Sequence, residues 1–168
     1  VKSFDELNTS ELYAILRLRS TVFVVEQNCV YQDIDNKDQQ ALHVLGYINK
    51  QIVAYTRCFG PGIYFDHSSI GRVIVCPTKR GLGIGHKNMS QSIEAVKMQY
   101  NQTNITISAQ SYLREFYQAH GFLQQGSEYL EDGIPHIKMN NFYVNGKIRV
   151  SNGEDLRLSV ELIDITGR

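Results

Sequence analysis

The chain has 168 residues, with 17 basic and 17 acidic side chains, a formal net charge of zero and a near-neutral isoelectric point. Its length fits one domain with a core of its own, and its charge balance argues against a nucleic-acid binder, which needs a basic surface to neutralise phosphates. No apolar run approaches the roughly 20 residues of a membrane span. Cys29, Cys58 and Cys76 are isolated and odd in number, unlike a disulfide scaffold. The opening Val-Lys-Ser-Phe-Asp lacks the apolar stretch of a secretory signal. The expectation is a soluble, cytoplasmic protein.

Thr9 or Ser10 is placed to cap a first helix, in which Leu12, Ile15, Leu16, Val22 and Phe23 recur at near-helical spacing. The polar stretch from Asn28 to Gln40 reads as a loop. Two short strands follow, His43–Ile48 and Gln51–Phe59, joined by a tight turn at Asn49-Lys50. Ile70–Cys76 is a β-branched run suited to a buried strand, and Pro77 stops it. A second helix shows Met89, Ile93, Val96 and Tyr100 on one face. Asn104–Ala109 alternates as a strand, Ser111 caps a short helix ending at Gly121, and strands are expected at Phe122–Tyr129 and Ile134–Met139.

This order gives an α+β fold, a mixed twisted sheet with helices on its faces. Beyond it, Asn145-Gly146 and Asn152-Gly153 are hairpin signals between strands expected at Phe142–Val144, Lys147–Val150 and Leu156–Ile165. Residues 1–140 therefore read as the domain and 141–168 as a β-rich appendage, whose hairpins would cover a sheet edge or form a homodimer contact.

The chemistry concentrates between Gly71 and His86, where a buried strand runs into a glycine-rich turn that opens a helix. Free N–H groups and the helix dipole make such a start an anion site, and glycines let a phosphate approach the main chain. Arg80 adds a permanent charge. A P-loop would need Gly-Lys-Ser/Thr where Gly85-His86-Lys87 stands, and the third glycine of a dinucleotide fingerprint is His86. Metal binding is not expected: H-E-x-x-H and paired Cys-x-x-Cys are absent, and Asp33, Asp35 and Asp38 lack the glycine and distal Glu of a calcium loop. Those acids read as a solvated loop that would attract a cationic acceptor.

Arg80 to Gly85 fits Arg-x-x-Gly-x-Gly, which resembles the coenzyme A pyrophosphate turn of the GNAT acyltransferases. Gln110 to Phe122 resembles that family's late helix, in which Phe116-Tyr117 precedes Gly121-Phe122. Val22–Cys29, Asp33-Ile34-Asp35, Ala41-Leu42-His43 and Glu131–Ile137 are similar to the ElaA-type branch, and the likeness spans about residues 5–139. It implies the acyl-CoA N-acyltransferase fold, with acetyl-CoA as donor, no metal, and a small-molecule or peptide amine as acceptor. The pantetheine arm would lie between Ile70–Cys76 and Asn104–Ala109, against the backbone of Val73, Ile74 and Val75. The turn of Gly81, Leu82, Gly83, Ile84, Gly85 and His86 would take the pyrophosphate beside Arg80.

Tyr117 falls where the family commonly keeps its general acid, although a packed aromatic would read the same way. Gln110 is either a pantetheine contact or an ordinary strand-end polar residue. Glu26, His43 and His136 are the candidates for touching the acceptor and taking its proton, with Glu26 placed beside Tyr117 in the catalytic pair. The alternative function is a CoA-binding or sensing module without turnover.

Overall fold

The computed structural model describes residues 1–144 together with 147 and 148. Helix α1, Thr9–Arg19, starts one residue earlier than the hydroxyl signals suggest. Asn8 is the cap: its side chain accepts from Glu11 N–H at 2.9 Å, while the Glu11 carboxylate accepts from Asn8 N–H at 3.0 Å, closing a capping box. The helical path continues through Ser20–Glu26 in a wider turn, with Gln27 N–H donating to Val22 C=O at 3.2 Å and Cys29 N–H to Val24 C=O at 3.2 Å. These i→i−5 bonds are the local signature of helix widening, a feature that recurs at functional sites.

The strands are β1 (Lys2–Ser3), β2 (Leu42–Ile48), β3 (Gln51–Phe59), β4 (Ser68–Val75), β5 (Asn104–Gln110), β6 (Leu123–Glu131), β7 (Ile134–Val144) and β8 (Lys147–Ile148). Seven of them lie in the order β1-β2-β3-β4-β5-β7-β6, and β8 pairs with the end of β7. Neighbours are antiparallel except β4 and β5, which are parallel and joined by a crossover through helix α2, Ile84–Tyr100. Helix α3, Arg114–Gln118, follows a short tight turn at Ser111–Leu113.

The two faces of the sheet bury separate apolar layers. Ile15, Leu18 and Val22 of the first helical segment pack on Tyr55 and Ile74. On the other face Met89, Ile93 and Val96, three of the four positions expected to share a helix face, are buried against Cys58, Ile70, Ile105, Ile107 and Met139; Tyr100 packs at the edge, partly buried.

Strand β7 runs without a break through the position where the sequence suggested a domain boundary, because Asn140 and Asn141 pair with Thr106 and Ile105 of β5. Asn141 also donates from Nδ2 to the His120 carbonyl at 2.8 Å. Phe142–Val144 is therefore the end of a sheet strand, where a separate appendage strand was expected. The turns at Asn145-Gly146 and Asn152-Gly153, and the strand expected at Leu156–Ile165, lie outside the described residues. Among the described residues no helix is long and apolar enough to cross a membrane.

Candidate active site

Strands β4 and β5 pair only at their beginnings, Ser68 with Ile105 and Ser69 with Thr106. Each remains held on its outer edge: β4 pairs with β3 as far as Val75, and β5 pairs with β7 along its whole length. Their inner edges therefore diverge, leaving backbone groups of 71–75 and 107–110 facing a cleft of about 920 Å³. Backbone N–H and C=O groups require partners, and an amide-bearing chain laid between two strand edges supplies them. A β-bulge sharpens the divergence, since Thr56 stands opposite both Arg72 and Val73, and Arg72 takes a left-handed φ of +52°.

At its open end the cleft meets the start of α2. Gly81 (φ +77°) and Gly83 (φ +70°) occupy the left-handed region that side chains disfavour. Gly83 caps the helix without a side-chain bond, so the first-turn N–H groups keep their capacity for an anion. Gly85 packs the helix start on β4 and α3, and a Cβ there would lie 3.4 Å from Val75 Cγ2 and 3.6 Å from the Phe116 ring. Lys79, Arg80 and His86 line this end. His86 Nδ1 is 3.0 Å from His120 Nε2, and both rings pack on Phe116. A pyrophosphate followed by an amide-containing arm fits this combination of turn, helix start and open strand edges.

Most residues singled out in the sequence line this one cleft: Val73, Ile74, Val75, Arg80, Gly81, Gly83, Ile84, Gly85, His86, Gln110, Tyr117, Glu26 and His136. Leu82 belongs to the turn by its backbone, but its side chain is exposed. Tyr117 is 5% exposed and packs edge-on to Phe116, with ring centroids 5.0 Å apart. Burial pushes its phenol above the ordinary tyrosine value, so it stays protonated across the physiological range. Gln110 and Gln27 exchange amide hydrogen bonds at 3.1 and 3.4 Å, tying β5 to the end of the first helical segment.

Glu26 is in the cleft, but both carboxylate oxygens accept from Arg80, at 2.7 and 3.0 Å. In this arrangement its oxygens are taken up by the arginine. His136 Nδ1 lies 2.8 Å from the Ile134 carbonyl, which only a protonated Nδ1 satisfies. The neutral ring therefore carries its lone pair on Nε2.

His43 is not brought to the cleft. It is 1% exposed, with Nδ1 2.8 Å from the Tyr55 hydroxyl and Nε2 3.0 Å from the Asp38 carbonyl. Burial lowers its pKa and outweighs the opposing pull of the Asp38 carbonyl and carboxylate, with Arg19 and Arg57 adding smaller effects in the same direction as burial. The physical reason is its strand position: it points into the layer under α1, where both ring nitrogens are already satisfied.

The acidic loop differs from its expectation as well. Asp33 and Asp38 are buried, and the three aspartates interlock with three arginines from distant segments. Arg19 Nε donates to Asp33 at 2.8 Å and Nη1 to Asp38 at 2.8 Å. Arg57 donates to Asp35 at 2.7 Å through both Nη atoms and to Asp38 at 2.8 Å. Arg72, turned by the bulge, donates from Nε to Asp33 at 2.7 Å. Burial opposes ionisation of Asp33, but the guanidiniums of Arg19 and Arg72 outweigh it and hold the carboxyl below its usual value. These acids are neutralised within the protein and do not form a solvated lure for a cation. Among the described residues no cluster of three or more His, Cys, Asp or Glu side chains is close enough to hold a metal.

Sequence reasoning missed Arg57, Arg72, Ser69, Ser108 and Glu131, all of which line the cleft. Glu131 Oε2 accepts from Ser108 Oγ at 2.7 Å, which carries a carboxylate across to β5. Arg72 and Glu131 lie in stretches already singled out, but no motif marks their part in the cleft, since the meeting of these five residues depends on strand register.

A mixed sheet split between two parallel strands, with a glycine-rich helix start at its mouth, defines an acyl-CoA N-acyltransferase fold. The chain belongs to the acetyltransferase (GNAT) domain family, whose pattern matches residues 11–141. It is 44% identical over 137 residues to protein ElaA of Escherichia coli, covering 80% of this chain and 90% of that one. The crystal structure of E. coli ElaA superposes with a TM-score of 0.75 at 43% identity, over 81% of this chain and 93% of that one. An acyl-CoA N-acyltransferase from Pseudomonas aeruginosa gives 0.76 at 38% identity, over 83% and 95%.

Proposed function

We propose that the protein transfers an acetyl group from acetyl-CoA to a primary amine by direct attack in a ternary complex. The observation that carries this reading is the β4–β5 seam, whose open edges lead into the uncapped start of α2. When bound there, acetyl-CoA supplies a thioester whose acetyl group passes to the amine nitrogen with release of the thiol.

The protein's part is positioning and proton management. Gly81 to His86 hold the pyrophosphate by backbone N–H groups, with Lys79 and Arg80 beside them. Backbone of Val73 and Val75 binds the arm, and an N–H on this edge stabilises the developing oxyanion. Tyr117, a protonated phenol at physiological pH, donates to the departing sulfur and is reprotonated from solvent. His136 Nε2 accepts the amine's proton, its tautomer fixed by the Ile134 carbonyl.

The test is calorimetric titration with acetyl-CoA, with NAD as control, followed by turnover of an amine panel by wild type and Tyr117→Phe. Saturable binding of acetyl-CoA alone is expected, with Tyr117→Phe binding normally but losing about a hundredfold or more in rate. Absence of binding sinks the cofactor assignment. Normal binding with no turnover of any amine favours a CoA-sensing module instead.

A further inference from the structure

Several buried side-chain polar atoms have no hydrogen-bond partner among the described residues, and two of them, Arg57 Nε and Ser69 Oγ, belong to residues that line the cleft. Arg57 is 1% exposed and Ser69 4%. Arg57 engages Asp35, Asp38 and Tyr64 through its Nη atoms, which leaves Nε–H as its remaining donor. Register puts Arg57 opposite Gly71 and Phe59 opposite Ser69, so Arg57 and Ser69 are diagonal neighbours on one face of the sheet. A buried donor left without a partner is costly, and two on one wall point to an acceptor atom that arrives with a ligand.

Their position says which ligand. On the proposed acyltransferase reading, the phosphates lie at the mouth by α2 and the arm runs along the seam toward its apex. Ser69 sits at that apex, where β4 still pairs with Thr106. It therefore lies past the acyl end, on the acceptor's side. Ser108 is two residues beyond Thr106, about 7 Å along the strand, and there it holds the Glu131 carboxylate at 2.7 Å. One wall thus offers hydrogen-bond donors, and a carboxylate stands across from it.

A bare amine would meet Glu131 but leave Arg57 Nε and Ser69 Oγ unsatisfied. A simple anion would use those donors but face Glu131. We infer that the acceptor is a zwitterion, a free amino acid, with its carboxylate on Ser69 Oγ and Arg57 Nε and its ammonium toward Glu131. Phe59, Phe65 and Tyr64 line the same region and suit a large apolar side chain.

The experiment compares initial rates of thiol release from acetyl-CoA with phenylalanine, phenylethylamine and phenylalaninamide, the last standing for a peptide N-terminus. Phenylalanine is expected to exceed both others at least tenfold in kcat/KM, as for loss of a charge-assisted hydrogen bond. Arg57 also anchors buried aspartates, so the variant chosen is Ser69→Ala. It should raise KM for phenylalanine about tenfold, leave calorimetric acetyl-CoA affinity unchanged, and not lower Tm, because it removes an unpaired hydroxyl. Equal rates for the three acceptors overturn the inference while the transferase assignment stands. So does a Ser69→Ala protein with lower Tm and unchanged KM, which would make Ser69 a packing residue. Acetyl-CoA binding without turnover of any amine overturns the transferase reading and this inference together.

Discussion

Glu26 and Arg80 illustrate how one contact changes the meaning of two residues. Read from the sequence, the first is a candidate base and the second a phosphate ligand; in the structure each occupies the other. Both are substantially exposed, so the pair adds at most about 1 kcal/mol to stability. A pyrophosphate at the turn would compete with the Glu26 carboxylate for the same guanidinium. Glu26→Gln is therefore expected to bind acetyl-CoA several-fold more tightly in calorimetry, with the gain shrinking as salt screens the charges. If Glu26 were instead the base, kcat would fall about a hundredfold or more with little change in affinity. At this scale Tyr117, Gln110 and His136 were legible because a motif or a turn frames them. The places of Ser69 and Glu131 in the cleft were not, because the surroundings of a buried hydroxyl and the cross-sheet reach of a carboxylate leave no trace in local spacing.

The elements themselves were largely readable, for physical reasons that differ from one to the next. Helix α2 announced itself by apolar periodicity, and the β4 strand by β-branched residues ending at a proline. The hairpin between β2 and β3 was read from Asn49-Lys50 despite the missing glycine, and both residues do adopt left-handed conformations, with φ of +48° and +63°. Lysine carries a Cβ penalty there that glycine would not. Lys50→Gly should raise stability by about 0.5–1 kcal/mol, measured by urea unfolding, without altering acetyl-CoA affinity. The widened turn at Ser20–Glu26 and the bulge at Arg72 were not legible. Each is a one-residue irregularity imposed by packing, and neither breaks the hydrophobic pattern that sequence reading follows.

Over the whole molecule, the interlocked arginines and aspartates join α1, the 33–38 loop, β3 and β4, segments that no short window can connect. Their charges, together with neutral His43, set the response to acid. The lowered pKa of His43 means that the unfolded chain takes up its proton first, so stability falls as pH drops through about 6.5. Asp33 and Asp35 are also held below their unfolded value of 3.8, so their contribution is complete above that pH and lost below it. Tm measured against pH should therefore decline in two stages, and His43→Gln should remove the first. The seam between β4 and β5 has a consequence of another kind. On the proposed reading the sheet is finished only when something that is not polypeptide takes the place of a strand, and the acyl donor then acts as a keystone as well as a reagent. At a hundred times its dissociation constant such a ligand adds about 2.7 kcal/mol to the folded state. It would also cover two raw strand edges that could otherwise template aggregation. On the proposed reading, donor supply governs how much of the enzyme survives as well as how fast it works.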